Sequence, residues 1–389
     1  MEKQLSRRMN TTLNQVVPSS ILAFNDKIVK IPDIIKLTLG EPDFNTPQHI
    51  KDAGIRSIEN NESHYTPSSG RLDLRQAMSD YLAQKYDVHY DPETEIVATI
   101  GATGGIFAGL TAVLNPGDEV LIPVPIFPLY IPITIMNGAK PVYIDTSKTD
   151  FILQPEDLAT ALDKHPKVKA IVLNYPTNPT GVTYSLSQLQ KLAAVIRNYP
   201  IFVLSDEIYS ELSYEQKHVS IAKLLPEQTI LLNGVSKSHA MTGWRIGILA
   251  APKQIMPKIA MIHQLMSTNA AAVSQAAALE AFKNGPDDAL PMRKEYQRRR
   301  DFLIPKLKKL GFGVQKPAGA FYLFCKIPES FQLNSFDFCV KLAEEAKVAV
   351  IPGASFPGGE GYFRLSYAAG FDQLKEAVAR LEKFVEAHR

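Results

Sequence analysis

The sequence predicts an α/β protein with a second, smaller α+β unit, and three observations carry that prediction. Between residues 96 and about 283, short apolar runs alternate with stretches of helical period, the pattern of strands joined by crossover helices in a mostly parallel sheet. The turn-forming stretch Asn284-Gly-Pro-Asp-Asp288 interrupts this alternation, and from 289 to 388 helices and strands follow in another order, as in an α+β unit. A chain of 389 residues also exceeds what one hydrophobic core usually holds. The expected division is a large domain over 31–285 and a small domain made of 1–30 and 286–389, with the N-terminal segment as an arm.

Taken in order, residues 1–30 read as an arm with a short helix near 20–27. The apolar run at 35–39 predicts a strand leading into Gly40-Glu-Pro-Asp-Phe-Asn-Thr-Pro47, a stiff loop whose glycine is either an ordinary turn or a place where backbone approaches a ligand. Helices are expected over 47–60 and 72–85, separated by the polar turn Tyr65-Thr-Pro-Ser-Ser-Gly70. A strand at 96–100 runs into Gly101-Ala-Thr-Gly-Gly105, read as a turn, and then a helix over 106–114. Glycines between a strand and a helix leave N–H groups free at the positive end of the helix dipole, which suits a phosphate. Without a Gly-x-Gly-x-x-Gly run or a P-loop lysine, a dinucleotide or nucleoside triphosphate is disfavoured.

Further strands are expected at 119–124, 141–145, 168–174, 201–205 and 229–233, with helices over 154–163 and 186–198. Three of the strands end in residues with chemical potential. Pro125-Ile-Phe-Pro-Leu-Tyr130 holds Phe127 where it can stack on a flat ring or fill core. Tyr175-Pro-Thr-Asn-Pro-Thr-Gly181 brackets Asn178 with prolines, fixing an amide that donates and accepts. Asp206-Glu-Ile-Tyr209 puts a carboxylate where an open parallel sheet binds ligands, or else a helix cap. In the small domain a helix is expected over 289–310, strands at 313–315, 320–326, 348–352 and 362–367, and helices over 335–346 and 372–388. Arg364 interrupts the apolar alternation of the last strand, and an inward arginine there needs an anion.

Composition narrows the function classes. Apolar content of 45% and charged content of 21% are those of a globular protein, and a net charge of +2 favours neither nucleic acid nor an anionic membrane surface. The basic cluster at 293–300 is expected on the solvated face of its helix. Cys325 and Cys339 are too few for a disulfide framework and lack the spacing of a zinc or redox motif. With no apolar stretch behind the first residues and no run near the ~20 apolar residues of a membrane span, a cytoplasmic location is expected.

The stretch Gly234-Val-Ser-Lys-Ser-His-Ala-Met-Thr-Gly-Trp-Arg-Ile-Gly247 carries the sharpest signal. Lys237 follows an apolar strand in a turn of small residues, the setting in which burial and nearby cations lower an amine's pKa and make it an imine former. Ser236 and Arg245 supply a hydroxyl and a fixed guanidinium for a phosphate at the same place. Ser-Lys followed by Gly-x-Arg-x-Gly, together with Asn-Pro-Thr-Gly and the Asp-x-x-Tyr strand end, resembles the pyridoxal 5′-phosphate (PLP) aminotransferases of fold type I, class I/II.

The resemblance runs from the Gly40 loop to the Arg364 strand and implies a seven-stranded type of large-domain sheet, PLP as cofactor, and a role for each anchor. Lys237 would form the imine and move the Cα proton of the substrate. Asp206 would keep the pyridine nitrogen protonated, Tyr209 would bond the ring oxygen, and Phe127 would stack on the ring. Gly101, Ala102, Thr103, Ser236 and Arg245 would hold the phosphate, and Tyr65 would reach the phosphate of the partner subunit, which implies a homodimer. Asn178 would bond both ring oxygen and substrate carboxylate, Arg364 would pair with the α-carboxylate, and Gly40 would line the substrate side. The implied reaction moves an amino group from an L-amino acid, aromatic or of broad range, to a 2-oxo acid such as 2-oxoglutarate. The wording around Lys237 is also similar to N-acetyl-diaminopimelate aminotransferases, and a β-lyase on sulfur amino acids would use the same lysine. A PLP-binding transcription regulator would need a DNA-binding domain ahead of residue 35, for which the roughly 35 preceding residues leave no room.

Overall fold

The computed structural model describes residues 5, 8–16 and 20–388; most of residues 1–9, read above as lacking a secretory signal, lie outside them. The N-terminal segment forms helix α1 (Ser20–Ile28) and strand β1 (Ile35–Lys36). A seven-stranded sheet follows, built from β2 (Ile96–Thr99), β3 (Glu119–Val124), β4 (Lys140–Asp145), β5 (Val168–Asn174), β6 (Phe202–Asp206), β7 (Thr229–Asn233) and β8 (Gly247–Ala250). Its order is β2-β8-β7-β6-β5-β3-β4, parallel except where β8 runs against β2 and β7. The inner strands are apolar on both faces because helices cover both, as buried parallel sheets require, while the edge strand β4 is largely exposed. β3 and β5 are neighbours, yet the chain continues from them in opposite directions, to β4 on one side and to β6 and β7 on the other. The carboxyl ends of strands beside such a reversal are where an open α/β sheet leaves a crevice.

One expected element changes character here. The glycines at 101–105, read as a turn, are the first turns of helix α2 (Gly101–Val113). They are helical despite glycine's low propensity because the helix lies close on the sheet: a Cβ at Gly105 would meet Leu232 Cδ2 at 2.5 Å.

The C-terminal part holds a four-stranded antiparallel sheet in the order β12-β13-β10-β9, with β9 (Gly313–Val314), β10 (Tyr322–Lys326), β12 (Ile351–Pro352) and β13 (Tyr362–Ser366). The run at 348–352, expected as one strand, is divided. Its first half, β11 (Val348–Ala349), pairs in parallel with β1, and only β12 joins the four-stranded sheet. Phe24, Ile28 and Leu37 share a core with Leu303, Leu307, Phe363 and Leu365, so the N-terminal segment packs against the C-terminal layers.

The helix Ala289–Lys309 corrects the reading of the basic cluster as a solvated face. Arg299 and Arg300 are buried, the first paired with Asp43 at 2.8 Å and Glu295 at 2.8 Å, the second with Glu215 at 2.6 Å. Glu295 lies one turn earlier on the same helix, but Asp43 and Glu215 come from segments distant in sequence, which helical periodicity cannot reveal. No helix among the described residues is long and apolar enough to cross a membrane.

Candidate active site

A cavity of about 380 Å³ opens at the carboxyl ends of β3, β5, β6 and β7, between the two sheets. Lys237 enters it from the short helix α3 (Val235–Ser238) that follows β7. Its Nζ donates to the carbonyl of Gly40 at 2.5 Å. Burial pushes the amine down to about 8, with the positive charges of Arg245 and Arg364 acting in the same direction against Glu41 and Asp206. The lysine therefore holds a substantial fraction of neutral amine at mildly alkaline pH, as a nucleophile requires.

Asp206 closes β6 and is buried at the cavity wall. Burial raises its pKa, while a bond from the Tyr130 hydroxyl at 2.6 Å and one from the Ile208 N–H at 3.2 Å favour the ionised form. Tyr209, three residues on, places its hydroxyl 2.7 Å from that of Tyr322. Phe127, half-buried after β3, lies edge-on to Tyr130 at 6.2 Å and faces the same cavity.

A second group of residues makes a cradle. Gly101 begins α2 at φ +63°, and a Cβ there would sit 2.5 Å from Nη2 of Arg245. The guanidinium thus lies over the helix N-terminus, steadied by a bond to the Thr242 carbonyl at 2.9 Å. Ala102, Thr103 and Ser236 line the same end of the cavity. A 13-residue helix N-terminus, a guanidinium and two hydroxyls near a glycine form a site suited to an anion such as phosphate.

At the opposite end stands Arg364, 3% exposed on β13. It donates to Asn178 Oδ1 at 2.9 Å and to the Thr38 carbonyl at 2.7 Å, and its guanidinium lies 4.5 Å from the Tyr322 ring centre. No carboxylate of the described residues pairs with it, and its Nε has no hydrogen-bond partner. A buried arginine without an anion is costly unless a ligand supplies one. Asn178 is held in turn by the bond from its own N–H to Asn174 Oδ1 at 3.0 Å.

Every sequence-derived residue except Gly101 and Tyr65 lines this one cavity, and Gly101 lies against Arg245 of its wall, so a single residue stands apart. Tyr65 is the one left out: it is 87% exposed and lies beside Ile58, Ser267 and Asn269 at a separate surface depression. Sequence reasoning missed Tyr130, Asn174, Tyr322 and Thr38, along with Ile21 and Asn25 of α1, which line the cavity as well. Tyr130 and Asn174 sit within or beside motifs already noticed, at the ends of β3 and β5. Tyr322 and α1 carried no signal, because only the packing of the C-terminal sheet brings them in.

A family model described as "Aminotransferase class I and II" matches residues 32–381. The chain belongs to that family. The aminotransferase is 48% identical over 378 residues to a protein named "Probable N-acetyl-LL-diaminopimelate aminotransferase" from Bacillus subtilis (strain 168), covering 97% of this chain and 95% of that one. It superimposes on an aromatic aminotransferase from Pyrococcus horikoshii OT3 with a TM-score of 0.88 at 38% identity, covering 94% and 99% of the two chains. With an aspartate aminotransferase from Thermus thermophilus, in a structure with maleate, the TM-score is 0.92 at 34% identity, covering 96% and 99%. Enzymes of this family depend on PLP, and the cavity fits it. The Gly101–Arg245 cradle matches its phosphate, the buried carboxylate of Asp206 its pyridine nitrogen, and the amine of Lys237 its aldehyde.

Proposed function

We propose that this aminotransferase takes the amino group of an L-amino acid, aromatic or over a broad range, and passes it to a 2-oxo acid such as 2-oxoglutarate in two half-reactions of a ping-pong sequence. The observation that carries the proposal is the buried, anion-free Arg364 at one end of a cavity whose other end holds the Gly101–Arg245 cradle, with Lys237 exposed to the same space. Bound PLP supplies an aldehyde that condenses with amines and a protonated ring that withdraws electrons from the substrate Cα. In this reading Arg364 and Asn178 hold the α-carboxylate, and Gly40 keeps the loop backbone close to the substrate. Gly101, Ala102, Thr103, Ser236 and Arg245 hold the phosphate, and Asp206 holds the pyridine proton. Tyr209 donates to the ring oxygen and Phe127 covers one ring face. Lys237 Nζ, whose neutral form burial favours, takes the proton from the substrate Cα. Because Arg364 lies on β13 and Lys237 on the short helix after β7, substrate bridges the 31–285 unit and the C-terminal unit, and closure of one on the other excludes water.

The cavity lining includes the apolar side chains of Ile21, Leu39 and Ile106, which support a bulky side chain on the donor. A second reading, a donor with an N-acetylated diamino-dicarboxylic side chain, is favoured by the 48% identity reported above. A steady-state panel of L-phenylalanine, L-tyrosine, L-aspartate and N-acetyl-LL-diaminopimelate with 2-oxoglutarate decides between them. Aromatic donors should give kcat/KM at least equal to the others. A preference above about tenfold for N-acetyl-LL-diaminopimelate, roughly 1.4 kcal/mol of discrimination, would replace the first reading with the second. Pyruvate release from L-cystathionine without a 2-oxo acid would mark β-elimination instead.

A further inference from the structure

Tyr322 is fully buried on β10 and touches three parts of the cavity at once. Its hydroxyl lies 2.7 Å from Tyr209 Oη, and its ring sits 4.5 Å from the Arg364 guanidinium. A Cβ on Gly40 would meet that hydroxyl at 3.1 Å, so the phenol also rests against the turn whose carbonyl accepts from Lys237. Its position follows from register: Tyr322 lies opposite Ser366 and diagonal to Arg364 on the same face of the antiparallel pair.

We propose that Tyr322 is a positioning residue: its hydroxyl donates to Tyr209 Oη and leaves the Tyr209 proton directed into the cavity, at the ring oxygen of bound PLP. The inference rests on the role given to Tyr209 above. A phenol has one proton to donate. If Tyr209 gave its proton to Tyr322, the ring oxygen would lose that donor and the Tyr322 proton would have no acceptor, since Tyr322 has no other hydrogen-bond partner among the described residues. Only the order Tyr322 to Tyr209 to ring oxygen uses both protons. Burial pushes both phenols above the ordinary tyrosine value, so both keep their protons at neutral pH although Arg364 pulls the other way. In such a chain each bond polarises the next, making Tyr209 a better donor than it would be alone.

Tyr322→Phe removes the hydroxyl and keeps the ring under Arg364, which separates donation from packing. The readout is the pH midpoint at which the visible absorbance of the PLP-loaded protein changes, with the PLP dissociation constant and the melting temperature of the apoprotein measured alongside. A donor at the ring oxygen favours its ionised form and lowers that midpoint. Tyr209→Phe should therefore raise it, and Tyr322→Phe should raise it by a smaller amount, roughly half to one pH unit. In the Tyr209→Phe background, Tyr322→Phe should shift the midpoint no further, because its effect passes through Tyr209. An unchanged midpoint in Tyr322→Phe beside a shifted one in Tyr209→Phe overturns the proposal, as does an equal shift in both backgrounds. If Tyr209→Phe leaves the midpoint where it was, the role of Tyr209 falls first and this inference falls with it.

Discussion

Lys237 owes its character to what surrounds one amine: burial that disfavours its charge, two arginines that repel it, and two carboxylates that partly compensate. The neutral form attacks an aldehyde, so protonation at low pH removes the nucleophile. Apoprotein mixed with PLP should bind it covalently at a rate that rises with pH, reaches half its plateau near pH 8 and is flat above. Stopped-flow absorbance from pH 6 to 10 measures this, and a midpoint near the ordinary lysine value would contradict the burial argument. Borohydride reduction should leave the adduct on Lys237. Asp206 depends on its neighbours in the same way. Tyr130→Phe removes a donor to the carboxylate, raises its pKa further and should cost about ten- to a hundredfold in kcat, the value of a hydrogen bond to a charged group. Asp206→Ala should keep PLP through the cradle and Lys237 yet lose about two orders of magnitude or more in kcat. A near-normal kcat in Asp206→Ala would make the carboxylate a structural cap, and one in Tyr130→Phe would mean that the Tyr130 bond does not tune it. Asp206, Asn178, Lys237, Arg245 and Arg364 were legible in the sequence because each sits in a short stretch whose residues are adjacent in the chain. Tyr130 was half-legible, inside a stretch noticed for Phe127. Tyr322 was not, since its partners Tyr209, Gly40 and Arg364 lie at least 42 residues away from it (364 − 322 = 42).

At the scale of elements, strand bounds at 119–124, 168–174 and 229–233 agree with the sequence, because apolar runs flanked by Gly, Pro, Asn or Asp define a buried strand at both ends. Glycine misleads at α2, where low propensity argues for a turn and close packing on the sheet makes a helix. The division of 348–352 between two sheets was equally hidden: every residue there is buried, so no alternation marks where one partner gives way to the other. The start of α2 gives a sharp test of the cradle. Gly101→Ala places a side chain at φ +63° and a methyl group 2.5 Å from Arg245 Nη2. The first effect costs about 1 kcal/mol in backbone strain, and the second moves the guanidinium off the helix N-terminus. The PLP dissociation constant should rise about tenfold or more in fluorescence titration, while the imine at Lys237 still forms at saturating PLP. Unchanged affinity would place the phosphate elsewhere.

At the scale of the molecule, one residue stands outside the arrangement. Tyr65 is 87% exposed, beside the exposed Ile58, while Leu265, 77% exposed, belongs to the helix Met256–Ser267 whose last residue, Ser267, lines the same depression. Exposed large apolar side chains near one another mark a protein interface. A homodimer that buries them would carry Tyr65 toward the partner's cradle, so each site would need both chains. Mixing Tyr65→Phe subunits with Lys237→Ala subunits tests this directly. In the hybrid, the site that keeps Lys237 receives an intact Tyr65 from the other chain, and the second site carries both defects. Losing one hydrogen bond to a charged phosphate is worth about 1.5–3 kcal/mol, so the Tyr65→Phe parent should retain PLP some ten- to a hundredfold more weakly. At limiting PLP the mixture should therefore show more activity than the sum of its unmixed parents. Leu265→Glu, which puts a charge into the apolar face, should shift sedimentation toward the monomer and lower PLP retention with it. A fully active monomer in that variant, or a mixture no better than its parents, would mean that each chain completes its own site.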